Sequence, residues 1–139
     1  MHEGSISIRL PADVREIARL GEMVRRFGEL HGIPAPALFA VSLALDEVVT
    51  NVVLYGFDTA AGQEVAVRVG RVGDELQGEV VDGGREFNPL TVLAPDLAAA
   101  LGERELGGLG IHLARSLMDR VDYRRENSKN VLTMGKRIH

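Results

Sequence analysis

The sequence predicts an α+β domain: a two-layer α/β sandwich in which a mixed, mostly antiparallel sheet carries its helices on one face. Three observations lead there. Runs in which polar and apolar residues alternate recur along the chain, the period-2 mark of half-buried strands. Two gaps between such runs, at Gly73-Asp74 and Glu126–Lys129, are short enough only for hairpins, which join antiparallel strands. Two long early segments instead repeat apolar residues at helical spacing.

Ser5 to Leu10 places Ile6, Ile8 and Leu10 on one face of a first strand that ends at Pro11. Pro11 and Asp13 open a helix patterned by Val14, Ile17, Ala18, Leu20, Val24, Phe27 and Leu30, which Gly32 and Pro34 end. Its polar face, with Arg15, Glu16, Arg19, Glu22, Arg25, Arg26 and Glu29, reads as a solvated surface. A second helix is expected from about Pro36 to Gly56. Leu38, Val41, Leu45, Val48, Val49 and Val52 share one side, and Phe39, Leu43, Val53 and Leu54 widen the apolar surface.

After a turn at Asp58–Gln63, strands are expected over Glu64–Val72 and Leu76–Val81, the second running into the glycine-rich turn Asp82–Pro89. Leu90 to Leu106 reads as a movable lid with a short helix near Pro95–Leu101. Ile111, Leu113, Ala114, Leu117, Met118 and Val121 pattern a further helix, and Arg120–Arg125 and Asn130–Ile138 are the last two strands.

The 139 residues are of single-domain size, so one domain spanning 1–139 is expected. A net charge of -4, without a run of Lys and Arg, argues against direct nucleic-acid binding and against a basic membrane-surface helix. No cysteine is present, which excludes thiolate catalysis and cysteine-ligated metal. The start lacks the features of a signal peptide, and no segment approaches the ~20 apolar residues of a membrane span. A soluble cytoplasmic protein is expected, or a soluble domain of something larger.

The second helix carries the chemistry. Glu47, Asn51 and Tyr55 follow at i, i+4 intervals and project along one stripe of a helix that is otherwise apolar. Buried polar groups cost a few kcal/mol unless partnered. The stripe therefore has two readings: a structural hydrogen-bond network, or a cavity whose oxygen ligands suit magnesium and a phosphate chain. Gly107-Gly-Leu109-Gly110, placed before a helix beginning near Ile111, presents free N–H groups and a positive dipole end to an anion. The common P-loop and dinucleotide fingerprints are absent.

Glu47-x-x-x-Asn51, then Asp82-x-Gly84-x-x-Phe87-x-Pro89, then Gly107-Gly-Leu-Gly110 closely resemble the nucleotide-binding boxes of the histidine-kinase-like ATPase domain shared by gyrases, heat-shock chaperones, histidine kinases and mismatch-repair ATPases. Within that superfamily the Leu-Asp-Glu-Val-Val-Thr-Asn helix, Phe87-Asn-Pro89 and Asn130-Val-Leu-Thr-Met resemble the anti-sigma-factor serine/threonine kinases.

The resemblance implies ATP and magnesium as cofactors. It assigns Glu47 as the catalytic base, Asn51 as the magnesium ligand and Asp82 as acceptor of the adenine amino group. Gly84 and Phe87 line the base site, and Thr133 adds a contact to the same edge. Gly107, Gly108, Leu109, Gly110 and Ile111 hold the phosphates under the lid. Implied partners are a sigma factor, held inactive, and a small antagonist protein phosphorylated on serine or threonine; a homodimer is expected. Tyr55 stands where many relatives have histidine, and Glu86 where the second box often has glycine. Two rival readings are an ATP-dependent partner-binding module without kinase activity and the ATP-binding domain of a histidine kinase.

Overall fold

The computed structural model describes residues 4–59, 61–86, 88 and 115–139. Five strands form its sheet: β1 (Gly4–Pro11), β2 (Glu64–Val72), β3 (Glu75–Asp82), β4 (Arg120–Glu126) and β5 (Lys129–Arg137). Two α-helices, α1 (Ile17–His31) and α2 (Ala35–Tyr55), lie between β1 and β2 in sequence. The spatial order is β1-β2-β3-β5-β4.

All four pairings among the described strands are antiparallel, so the parallel component expected of a mixed sheet is not found in them. Hairpins impose this on β2–β3 and β4–β5. Between β1 and β2, a pair of helices returns the chain in the reverse direction, where a single crossover helix would have given a parallel neighbour.

Register places the apolar set on one face. Ile6, Ile8 and Leu10 stand opposite Val69, Val67 and Val65, and Val80 stands between Val67 and Leu132. The other face is polar: Arg68 pairs with Glu79 across β2–β3 at 3.8 Å, and Arg120 reaches Glu75 at 3.0 Å. The hairpin turns use left-handed backbone where the fold requires it, at Gly73 (φ 60°) and at Asn127 and Ser128 (φ 53° and 61°).

Asp13 accepts a hydrogen bond from the Arg15 N–H at 2.9 Å and caps a 3₁₀ turn, Val14–Glu16, before α1 begins. The first helix therefore starts later, as α-helix, than the apolar pattern indicates. Gly32, left-handed at φ 62°, ends it. Where α1 meets the start of α2, Leu38 packs in the space that a side chain at Gly28 would fill.

Ala37, Ala40, Val41, Ala44, Leu45, Val48 and Val49 bury α2 against its neighbours. Gly78 on β3 leaves the notch into which Leu45 and Met134 pack; Leu45 Cδ2 lies 3.1 Å from where a Cβ at Gly78 would stand. Phe39, by contrast, is 67% exposed and Leu54 also faces outward, so the apolar surface is narrower than the sequence implied. At 21 residues and a mean hydropathy of 1.8, α2 is long and apolar enough to cross a membrane, which corrects the expectation that no segment reaches that length. Here it is the core helix of the domain, with Ala44 and Leu45 fully buried.

Near the end, residues 115–117 are helical, Met118 is buried at the joint and β4 begins at Arg120. Val121, which the sequence placed both at the end of a helical spacing and in the Arg120–Arg125 strand, belongs to the strand. The expected lid at Leu90–Leu106 lies outside the described residues.

Leu45→Ala should lower unfolding stability by about 2–5 kcal/mol in a urea titration, because the Gly78 notch cannot close around the smaller side chain. A change below ~1 kcal/mol would show that the notch collapses freely.

Candidate functional site

The polar stripe of α2 is half-buried at Glu47 and Asn51. Asn51 Nδ2 donates to the Glu47 carbonyl one turn back at 3.1 Å, which orients the amide and leaves Oδ1 available as a ligand. The Glu47 carboxylate has no hydrogen-bond or ion-pair partner among the described residues. Burial raises its pKa, and the neighbouring Asp46 carboxylate raises it further; Asp46 is itself raised by burial. Asp46 points elsewhere, into a groove of about 370 Å³ between α1 and α2 lined also by Ile17, Leu20, Phe39 and Ser42. None of the described candidate site residues lines that groove.

The second part of the site is the end of β3. Asp82 is 5% exposed, and its Oδ1 accepts from the Gly84 N–H at 2.8 Å and from Asn130 Nδ2 at 3.0 Å. No described group bonds Oδ2. A buried carboxylate with one saturated and one open oxygen is an acceptor for a donor supplied from outside.

The loop after Asp82 is tied to the C-terminal end of α2, which brings the two parts together. The Arg85 N–H donates to the Gly56 carbonyl at 2.8 Å, and its guanidinium donates to the Tyr55 carbonyl and lies 3.5 Å from Asp58. A cation there complements the negative end of the helix dipole. It also places the Arg85 guanidinium on the protein itself, so its first duty is as a helix cap. Gly84 sits against the Gly56 carbonyl and Asp82 Oδ1, where a Cβ would collide with backbone. Its missing side chain is needed by the fold before any ligand arrives.

Thr133 is not beside Asp82. It stands opposite Glu79, three residues from Asn130, and so projects from the other face of the sheet. The residue opposite Asp82 is Asn130, buried at 7% exposure, whose Oδ1 accepts from Tyr123 Oη at 2.7 Å and from Arg125 Nη1 at 3.1 Å. These three residues were given no role from the sequence. The signal was there in the alternation, since Asn130, Leu132 and Met134 share the phase that faces the helices. Phe87, Gly107, Gly108, Leu109, Gly110 and Ile111 lie outside the described residues.

This antiparallel sheet under a helical layer is the fold of the ATPase domains that gyrases and histidine kinases share. Residues 10–136 match the model of the histidine kinase-like ATPase domain, and the chain belongs to that family, whose members bind ATP. Over 96 residues it is 28% identical to the serine/threonine-protein kinase BtrW of Bordetella bronchiseptica, covering 69% of this chain and 68% of that protein. The structure of the RsbU and RsbW domains of Rv1364c from Mycobacterium tuberculosis superposes with a TM-score of 0.70 at 16% identity; the match takes in 97% of this chain and 32% of that one. The chain thus spans about a third of the solved chain it resembles. The SiaB–SiaC complex from Pseudomonas aeruginosa contains a chain of the same fold, with a TM-score of 0.59, 13% identity and coverage of 94% and 88%.

Gly84→Ala should cost about 1–3 kcal/mol of stability, because the new methyl meets the Gly56 carbonyl rather than a yielding side chain. Glu47 gives a pH-dependent counterpart. A carboxyl whose folded pKa is raised contributes stability below its unfolded pKa and loses it as pH rises through the folded value. Glu47→Gln should therefore melt higher than the parent at pH 7, with the advantage fading as pH falls through the raised folded value and gone by about pH 4, near the ordinary glutamate range. Parallel melts at the two pH values check this; an equal offset at both would contradict it.

Proposed function

We propose that the chain is a Mg-ATP-dependent serine/threonine protein kinase of the anti-sigma type, which binds a sigma factor and phosphorylates a small antagonist protein. The observation that carries the kinase reading is the half-buried Glu47 carboxylate, without a partner among the described residues, one helical turn from Asn51. A purely structural network would have satisfied that carboxylate within the protein. Membership in an ATP-binding family and similarity to BtrW, which is named a serine/threonine kinase, support the same reading.

The residues present fit the ligand. Asp82 Oδ2 is open to accept a hydrogen bond and would take one from the exocyclic amino group of adenine, with Gly84 presenting no side chain to the base. Asn51 Oδ1 is a hard oxygen ligand of the kind magnesium takes, and magnesium needs few protein ligands when phosphates and water complete its shell. Bound Mg-ATP supplies the phosphoryl group and the cation that neutralises it. Glu47 receives the proton of the attacking serine or threonine hydroxyl on its carboxylate; its raised pKa makes it a better base than a solvated glutamate. Phe87 and the Gly107–Ile111 segment complete the base and phosphate sites in this reading.

On the same reading the protein works in the cytoplasm, as a homodimer. A fold relative solved in complex with a second protein, SiaB–SiaC, is consistent with a partner-binding role. If partner binding were the whole function, ATP would act only as a conformational ligand, and Glu47 would have no catalytic duty.

Calorimetric titration with a non-hydrolysable ATP analogue should give magnesium-dependent binding in the parent chain and its loss in Asn51→Ala. Glu47→Gln should keep analogue affinity within about threefold and lower phosphoryl transfer to the antagonist by at least about 100-fold. Transfer at the parent rate in Glu47→Gln would remove the base assignment. Absence of any analogue binding by the folded parent would remove the whole reading.

A further inference from the structure

We propose that Asn130 is a positioning residue for base recognition: with Tyr123 and Arg125 it locks Asp82 and the following loop so that the site admits adenine and rejects guanine. The proposal rests on the adenine-nucleotide reading above and names where its specificity resides.

A carboxamide has two N–H donors and one oxygen able to accept twice. In Asn130 all of this capacity is used. Nδ2 donates to Asp82 Oδ1 at 3.0 Å and to the Arg85 carbonyl at 2.7 Å. Oδ1 accepts from Tyr123 Oη at 2.7 Å and from Arg125 Nη1 at 3.1 Å. Turning the amide over would set its oxygen against a carboxylate and a carbonyl and its NH₂ against a guanidinium, so only one orientation is tolerable. The same Arg125 Nη1 holds the Gly84 carbonyl at 3.0 Å. Both loop carbonyls, at 84 and 85, are thus held from β4 and β5, while the Arg85 N–H is held from α2.

The consequence falls on Asp82. With Oδ1 occupied by the Gly84 N–H and by Asn130, the carboxylate presents Oδ2 as its open acceptor and cannot rotate without breaking two bonds. Adenine offers an amino donor to such an oxygen; guanine places a carbonyl oxygen at the corresponding position. A freely rotating Asp82 would relieve that clash by turning aside. A locked one cannot, and discrimination comes from the repulsion it is forced to keep. Pairing Arg125 with Asn130 across β4–β5 sets this lock in the sheet register, independently of Glu47 and Asn51 on α2.

The test compares the parent chain, Asn130→Ala, Tyr123→Phe, Asp82→Asn and the Asp82→Asn/Asn130→Ala double variant. Affinities for non-hydrolysable ATP and GTP analogues are measured, with amide hydrogen exchange at Gly84 in the nucleotide-free proteins. Asn130→Ala should reduce the ATP-to-GTP affinity ratio by about tenfold or more and speed Gly84 exchange by about tenfold. Tyr123→Phe, which keeps the packing, should shift the ratio the same way by about two- to threefold. The double variant should discriminate no worse than Asp82→Asn alone, since both changes act through one carboxylate. A loss of stability with an unchanged ratio in both Asn130→Ala and Tyr123→Phe would overturn the lock and leave the nucleotide site standing. Should Asn130→Ala fail to fold, Tyr123→Phe decides alone. A folded parent that binds neither analogue would overturn the nucleotide reading, and the recognition role of Asn130 with it.

Discussion

The seating of Leu45 in the notch above Gly78 fixes the rotation of α2, and the rest of the site follows from that rotation. A helix with this many apolar residues can bury several different faces at similar gain, so burial alone does not choose among them. The missing side chain on β3 makes one choice better than the others, because there Leu45 comes within 3.1 Å of where a Cβ would stand. Ala37, Ala40 and Ala44 then allow close packing along the helix. What remains for Glu47 and Asn51 is the half-buried margin, where neither full solvation nor full satisfaction by protein is available.

The molecule treats its buried polar groups in two opposite ways. In the Asn130 carboxamide itself every donor and acceptor is matched, and low dielectric strengthens each of those bonds. On α2 the Glu47 carboxylate is left unmatched among the described residues, at a cost in stability. Matched groups give rigidity and unmatched ones give reactivity. The two regions meet where Arg85 joins the end of α2, so the matched part sets the frame in which the unmatched part is held.

Most of the fold was legible because periodicity reports directly on which face a residue occupies. The five strands and both helices lie within a few residues of where alternation and apolar spacing put them. The misreadings share one cause: they needed information between elements. Phe39 belongs to the apolar sector of α2, but it lines the open groove between α1 and α2 and is not packed into the core. Val121 continues a helical spacing by coincidence, since β4 has already begun at Arg120. Thr133 was placed by analogy of motif, whereas its face depends on the pleat counted from the Asp82–Asn130 pair. The importance of Asn130 was hidden for the same reason. A polar residue at the start of an apolar strand reads as a boundary until its neighbour across the ladder is known to be an aspartate.

The bond between Asp82 and Asn130 joins residues 48 apart in sequence. The β2–β3 and β4–β5 hairpins close over short distances and can form early, on the microsecond scale typical of such units. The pairing of β3 with β5 must wait for a much larger loop to close, and loop-closure entropy opposes it until the core supports it. The Asp82–Asn130 corner is therefore among the last places to exist as the chain folds. A partly folded chain holds no version of it, so any ligand that binds there selects the fully folded state and stabilises the domain as a whole by mass action.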